Sequence, residues 1–424
     1  MKSYVIFFCI AVQPLSLASH LNKERDSYHV GNEIIIPASN RFDCYLPLLQ
    51  KKSVAIFANQ TSILGNSHLV DTLLKRGVLI KKIFAPEHGF RGTGDAGEGI
   101  GNLVDSKTGL PIISLYGNKV KPSAEDLRDV DIMLFDIQDV GTRFYTYISS
   151  FQKYLEAAIE NNKWLIILDR PNPNGFYVDG PVLDTAFKSF VGMQPIPVVY
   201  GMTIGEYATM LIKEKWIPAK YTGINIWIDK EWKKNGNPGQ LLPSEGGILI
   251  VKCSGYTHRS KYKLPIKPSP NLPNMQSIYL YPSLCFFEGT AISLGRGTDK
   301  PFQQFGNPLF PKNLYQFTPK SLPGAKTPPL LNQACYGYDL SKISQKEFTG
   351  QLQLKWLLRA YKLYPDKKNF FLESNFFNKL AGSDKLKDQI ISGKTEDEIR
   401  RSWKDGISRF KAIRKKYLLY PDFE

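Results

Sequence analysis

Short apolar runs recur along the first half of the chain, each closing on a polar cluster. Val54–Asn59 reads VAIFAN and leads into Gln60 and Thr61. Val78–Phe84, Pro111–Tyr116, Asp131–Ile137 and Trp164–Leu168 repeat the pattern, and Pro197–Tyr200 predicts a sixth strand. Between them the spacing turns helical. Leu69, Leu73 and Leu74 mark a helix over Ser67–Arg76 that stops at Gly77. Ser123 with Asp126 three residues on opens a short helix, and Thr203 with Glu206 caps another that runs to Lys215. Phe144, Tyr147, Ile148, Phe151, Leu155 and Ile159 predict a long helix from Gly141-Thr142 to Glu160. Strands that are apolar throughout and alternate with helices describe a parallel sheet covered on both faces. The fold class is therefore α/β, with a Rossmann-like, mostly parallel sheet.

The pattern changes near Pro265. KPSPNLPNMQ is proline-rich and reads as a linker or an ordered loop, followed by Ser277–Phe287 and by GRGTDKPF at 295–302. Lysine-rich segments with helical spacing follow, clearest over Leu352–Leu363 and Glu396–Tyr417. These features predict a second, smaller α+β domain at 265–424 that closes over a first domain at 20–264. Residues 1–19 carry Lys2, an apolar run from Tyr4 to Val12 and the small residues Ala18 and Ser19, the layout of an export signal too short to span a bilayer. Cys9 lies inside that run, which argues against a lipoprotein anchor and points to a soluble, periplasmic mature chain. The later cysteines, Cys44, Cys253, Cys285 and Cys335, are widely spaced; they allow one or two bridges or a set of buried thiols.

Composition narrows the function. The hydrophobic fraction of 42% and charged fraction of 22% are those of a globular protein. The net charge of +16 is scattered, thickest over 400–416, and no RNA-binding or zinc-finger signature accompanies it. Nucleic acid is not the expected partner; in an exported chain the excess favours anionic partners such as cell-wall polymer or lipid headgroups.

The candidate chemistry gathers in FAPEHGFRGTGDAGEGIG at 84–101, a charged, glycine-rich loop after the second strand. GTGDAG at 92–97 matches a dinucleotide pattern. It follows the wrong strand, however, and no helix begins after it, so no cofactor is expected. The five histidines never pair at ligand spacing, so no metal is expected, and no G-x-S-x-G elbow is present. Carboxylates remain: Glu87, Glu98, Asp136, Asp139 and Asp169 all belong to strand-end segments. Two of them flanking a bond would equip a glycosidase. Arg91, Arg143 and Arg170 are candidates to hold a substrate carboxylate.

At this level of detail PEHGFRGTGDAGEGI, SLYG, FDIQDVGTRFYTYIS, LDRPNPNG, PSPNLPN and FEGTAISLGRGTDKPF resemble the NamZ-type exo-β-N-acetylmuramidases, from about residue 50 to the C-terminus. The resemblance implies a Rossmann-like domain, a smaller C-terminal domain and a site in the cleft between them. It also implies release of N-acetylmuramic acid from the non-reducing ends of peptidoglycan fragments. Glu87 would protonate the leaving oxygen, and Glu98, or failing that Asp136, would be the second catalytic carboxylate. Asn59, His88, Arg91, Gln138, Asp139, Arg143, Asp169, Arg170 and Asn172 would contact substrate, with Asn271, Asn274, Glu288, Arg296 and Thr298 closing the cleft. Tyr200 stands where many relatives carry histidine. Two other classes stay open at this point: a sugar- or muropeptide-binding protein without catalysis, and a carboxylate-based amidase or transferase.

Overall fold

The computed structural model describes residues 28–30, 33–92, 103–218, 223–229, 246–348 and 350–424. Its main sheet has eight strands: β1 (Ser53–Ala58), β2 (Leu79–Ala85), β3 (Leu103–Val104), β4 (Pro111–Ser114), β5 (Ile132–Asp136), β6 (Trp164–Leu168), β7 (Ile226–Ile228) and β8 (Ile248–Val251). They lie in the order β7–β8–β6–β5–β1–β2–β4–β3, parallel throughout except where β3 pairs antiparallel with β4 at one edge. Leaving out the short edge strands, the chain first builds outward from β1 through β2 to β4. It then returns to β5 on the other side of β1 and builds outward through β6 to β8. That reversal between β1 and β5 is the topological switch point of a doubly wound sheet, and ligands of such sheets sit beyond the strand ends there.

Alternation along each strand divides the core in two. Ala55, Phe57, Met133, Phe135, Leu165 and Ile167 face helices α4 (Tyr147–Glu160) and α5 (Ile204–Lys213). Val54, Ile56, Ile132, Leu134 and Ile166 face α1 (Phe42–Leu49) and α2 (Leu69–Lys75). A strand buried on both sides has almost no polar position to offer, and for that reason β5 and β6 at the centre are apolar up to their ends, while β2, nearer the edge, carries Lys81 and Lys82 at half-buried positions. The short helix α3 (Ala124–Leu127) starts on a capping box from Ser123 and Asp126, and α5 on one from Thr203 and Glu206. Each cap pairs helix-end amides that would otherwise lack partners, worth about 1 kcal/mol.

Beyond residue 265 come α6 (Met275–Leu284) and a three-stranded antiparallel sheet of β9 (Gln304–Asn307), β10 (Tyr315–Phe317) and β11 (Cys335–Asp339). Helices α7 (Lys355–Leu363), α8 (Phe376–Ala381), α9 (Lys385–Ile391) and α10 (Glu396–Arg414) complete this smaller part. Its Leu284, Phe286, Phe305, Leu357, Leu380 and Trp403 belong to the same continuous core as the α4 face of the main sheet. Phe144 bridges the two parts, its ring 5.4 Å from Tyr281 and 5.8 Å from Phe286. Each such buried ring contributes roughly 2–3 kcal/mol, so the second part is welded to the first.

Two local expectations change, and one open alternative is decided. Residues 197–200 are not a sheet strand; Val199 makes isolated bridges to Thr142 and Asp179. The last parallel strand is instead Ile248–Val251, equally short and apolar, a distinction that periodicity alone does not make. Helix α4 begins at Tyr147, because Gly141 adopts φ 76° and Thr142–Thr146 turns irregularly before it. The four cysteines among the described residues are free and buried, the second of the two arrangements their spacing allows. The export segment lies outside the described residues.

Candidate active site

The strand-end clusters do meet, but most of them bond to one another. At the tip of β1, Asn59 Oδ1 accepts from the Thr61 amide, the Thr61 hydroxyl accepts from the Gln138 amide, and Ser62 donates to the Asp136 carbonyl. Gln138 Nε2 donates to the Asp139 and Pro171 carbonyls. Asp136 and Arg170 form a two-point ion pair, Nε to Oδ1 at 2.6 Å and Nη2 to Oδ2 at 2.8 Å, with 0% and 3% of their side chains exposed. Asp139 accepts from the Gly141 amide and the Tyr200 hydroxyl, so the tyrosine at this position has a definite partner. Burial pushes the Asp139 carboxyl up to about 6 despite those two donors. These residues form a buried polar floor beneath the strand ends.

Glu87 stands apart from that floor. Strand β2 ends at Ala85, and a tight turn follows, closed by the Gly89 amide donating to the Pro86 carbonyl at 3.0 Å. His88 occupies the left-handed region of that turn at φ 70°, a conformation costing a non-glycine residue about 1 kcal/mol or more. Its ring lies 3.2 Å from Ser269 Oγ, a contact that holds the turn against the proline-rich segment. The half-buried Glu87 side chain accepts from the Thr146 hydroxyl at 3.0 Å, and its charge acts on the phenol of Tyr116. Burial first, and the Glu87 charge second, push the Tyr116 phenol well above its usual value, which keeps it a donor. Just downstream, Arg91 grips Asp105 at two points, Nε to Oδ1 at 3.1 Å and Nη2 to Oδ2 at 2.8 Å, anchoring the loop to the β3–β4 edge.

The proline-rich segment is an ordered seam. The Pro268 carbonyl receives Gln60 Nε2 at 2.9 Å, Tyr145 OH at 2.9 Å and Tyr147 OH at 3.3 Å. Tyr145 and Tyr147 thus hold the second part of the chain, while Thr146 between them reaches Glu87. On the far side Asn271 Nδ2 donates to the Gly324 carbonyl at 2.9 Å. Gly324 lines a cavity of about 1160 Å³ whose wall includes Ile292, Leu294, Leu309 and Leu330, with Glu288 and Arg296 as an ion pair. The Tyr116 phenol feels the charges of Glu87, Arg296 and Glu288 together.

Glu87, His88, Asn271, Glu288 and Arg296 are therefore brought to the seam or the cavity. Other expectations are corrected. Arg143 has 0% exposure, and its guanidinium donates to the Pro181, Ile196 and Leu380 carbonyls, so it clamps three segments instead of a ligand. Asp169 has 0% exposure and accepts from the Gly205 amide at the start of α5 and from Tyr420 of the C-terminal tail. Burial pushes its carboxyl up to about 6 against those donors. Asn172 is closed by the Met202 carbonyl and the Asn174 amide. Asn274 caps α6, and Thr298 ties a turn through the Gly295 carbonyl and Gln304. Asp136 has both oxygens on Arg170 and no surface for a sugar. Arg170 is withdrawn in the same way, and Asn59, Gln138 and Asp139 belong to the floor. Glu98 lies outside the described residues. Tyr116 and Thr146 were not among the sequence candidates, although SLYG and FYTYIS, the motifs that contain them, are part of the resemblance.

Fold and site together define a doubly wound α/β scaffold with a half-buried glutamate at a strand end and a cavity walled by the second part of the chain. The family is equally definite. The N-terminal model of the exo-β-N-acetylmuramidase NamZ matches residues 54–276 and its C-terminal model residues 279–420, so the chain belongs to the NamZ family. The peptidoglycan β-N-acetylmuramidase NamZ of Bacillus subtilis (strain 168) is 36% identical over 394 residues, 89% of either chain. A DUF1343 family protein of known structure from Bacteroides fragilis NCTC 9343 superposes with a TM-score of 0.79 at 45% identity, covering 92% of this chain and 99% of its own. A second from the same organism gives 0.73 at 26%, covering 91% and 99%.

Proposed function

We propose that the chain is an exo-acting β-N-acetylmuramidase that hydrolyses the β-1,4 link of a non-reducing-end N-acetylmuramic acid in peptidoglycan fragments, in cell-wall turnover and recycling. The observation that carries the residue assignment is the Glu87 carboxyl, held at the end of β2 by the Thr146 hydroxyl, on the seam that leads through Ser269 and Asn271 to the Glu288–Arg296 cavity. Glu87 gives its proton to the glycosidic oxygen as the bond to C1 breaks, and water adds to C1. The second carboxylate is assigned to Glu98 on the same loop. The buried Asp136 is poorly placed for it, because a nucleophile or base needs an oxygen that the sugar or its water can reach. Thr146 orients the acid, and the apolar wall keeps bulk water from the developing charge. Residues 1–19 support export to the periplasm, where such fragments arise.

The test is Glu87→Gln on a chromogenic N-acetylmuramide, with products read by mass spectrometry. Turnover should fall about 10²- to 10⁴-fold with the melting temperature unchanged, and the wild-type product should be free N-acetylmuramic acid. A glutamine variant with full turnover removes Glu87 from the chemistry. Intact ligand would favour the binding protein, and released peptide the amidase.

A further inference from the structure

The muramidase reading leaves one question of recognition open. N-acetylmuramic acid differs from N-acetylglucosamine by an anionic lactyl ether, and a selective site needs a cation to meet it. Arg91, Arg143 and Arg170 are all engaged elsewhere, on Asp105, on three backbone carbonyls and on Asp136. Of the arginines among the described residues, Arg296 is the one that lines the cavity.

Its setting is that of a fixed donor. Nε and Nη2 both point to Glu288 Oε1, and Nη1 takes no hydrogen bond among the described residues. The guanidinium lies over the Phe302 ring, 5.2 Å from its centroid. Flanking glycines make the presentation possible. Gly295 and Gly297 adopt φ 83° and 76°, and a Cβ on Gly297 would sit 2.4 Å from the Lys320 carbonyl oxygen. About a fifth of the Arg296 side chain remains exposed, at 21%. Glu288 offsets the cost of holding a charge against apolar walls, and it fixes the guanidinium so that little rotamer freedom is lost on binding. The cavity adjoins the turn that carries Glu87: His88 meets the Ser269 hydroxyl, that hydroxyl accepts from the Asn271 amide, and Asn271 Nδ2 donates to the carbonyl of Gly324 on the cavity wall.

We infer that Arg296, oriented by Glu288, is the specificity-determining residue that binds the lactyl carboxylate of the terminal sugar. The inference rests on the muramidase reading above. One charge-assisted hydrogen bond from Nη1 to that carboxylate sets the preference for muramic acid over glucosamine. Lys326, exposed at the rim of the same cavity, is the competing cation.

The experiment compares two substrates that differ in one group: the 4-methylumbelliferyl glycoside of N-acetylmuramic acid, and the same glycoside with the lactyl carboxylate converted to its carboxamide. The quantity read is the ratio of kcat/KM for acid over amide. Because both substrates meet the same preparation of full-length protein, the ratio is independent of the folded fraction. Wild type should favour the acid, and Arg296→Gln should shrink the ratio about 10- to 100-fold, the size of one charge-assisted hydrogen bond. Arg296→Lys should restore part of it. An unchanged ratio in Arg296→Gln, a wild-type ratio near one, or collapse in Lys326→Met instead would overturn the assignment. Wild-type protein that cleaves neither glycoside removes the parent reading, and the inference with it.

Discussion

Replacing Asp136 with asparagine separates a structural carboxylate from a catalytic one. Asp136 meets Arg170 through two short contacts, 2.6 and 2.8 Å, with almost no side-chain surface on either partner. Removing one member of such a pair leaves a buried charge uncompensated, which costs about 3–5 kcal/mol. Asparagine keeps the volume and one acceptor, so the lower end, about 3 kcal/mol, is expected. The other acceptors near Arg170 Nη2, Ser39 Oγ and the Ile63 carbonyl, stand at 3.4 Å and compensate little. The assay is chemical denaturation followed by tryptophan fluorescence, with turnover measured per folded molecule. The midpoint should drop while turnover per folded molecule stays within a few-fold of wild type. The double variant Asp136→Leu/Arg170→Met, which replaces the pair with apolar groups, should recover most of the loss. A wild-type midpoint combined with a hundredfold loss of turnover would refute this reasoning and make Asp136 the second catalytic carboxylate.

Two further outcomes follow from the site. Asp139 and Asp169, each pushed up to about 6 by burial, hold protons in the folded protein that the unfolded chain, near 3.9, releases earlier. Their contribution is full below about pH 4 and is lost as pH rises to about 6, roughly 3 kcal/mol for each group. The melting temperature of wild type minus that of Asp139→Asn should therefore fall as pH rises from about 4 to about 6 and stay constant above it; a difference independent of pH, or one that grows, would contradict the assignment. Thr146→Val removes the hydroxyl that donates to Glu87, and Tyr116→Phe the phenol on which the Glu87 charge acts; each should lower kcat about 10-fold on the chromogenic muramide. Unaltered turnover would reduce Tyr116 to a packing residue.

Much of this protein could be read locally. The strands β1, β5 and β6 are visible because burial on both faces leaves almost only apolar side chains, a property of each run by itself, and β2 and β4 show through their shorter apolar stretches. The capping boxes at Ser123 and Thr203 are equally local, since their partners lie three residues away. The position of Glu87 was legible for a related reason: it directly follows the apolar end of β2, so a local pattern is enough to place it at a strand end. The division of the remaining polar residues into floor and cleft was not. Arg170 finds Asp136 34 positions back, Arg143 reaches Leu380 across 237, and Tyr420 closes Asp169 across 251. No window along the chain contains such pairs. The amino-acid order determined the doubly wound sheet, the edge on which its polar clusters emerge and the strand end that carries the acid. Tertiary packing alone decided which charged groups neutralise one another and which, like Arg296, keep a face toward the cavity, because desolvation and pairing depend on neighbours supplied from distant parts of the chain.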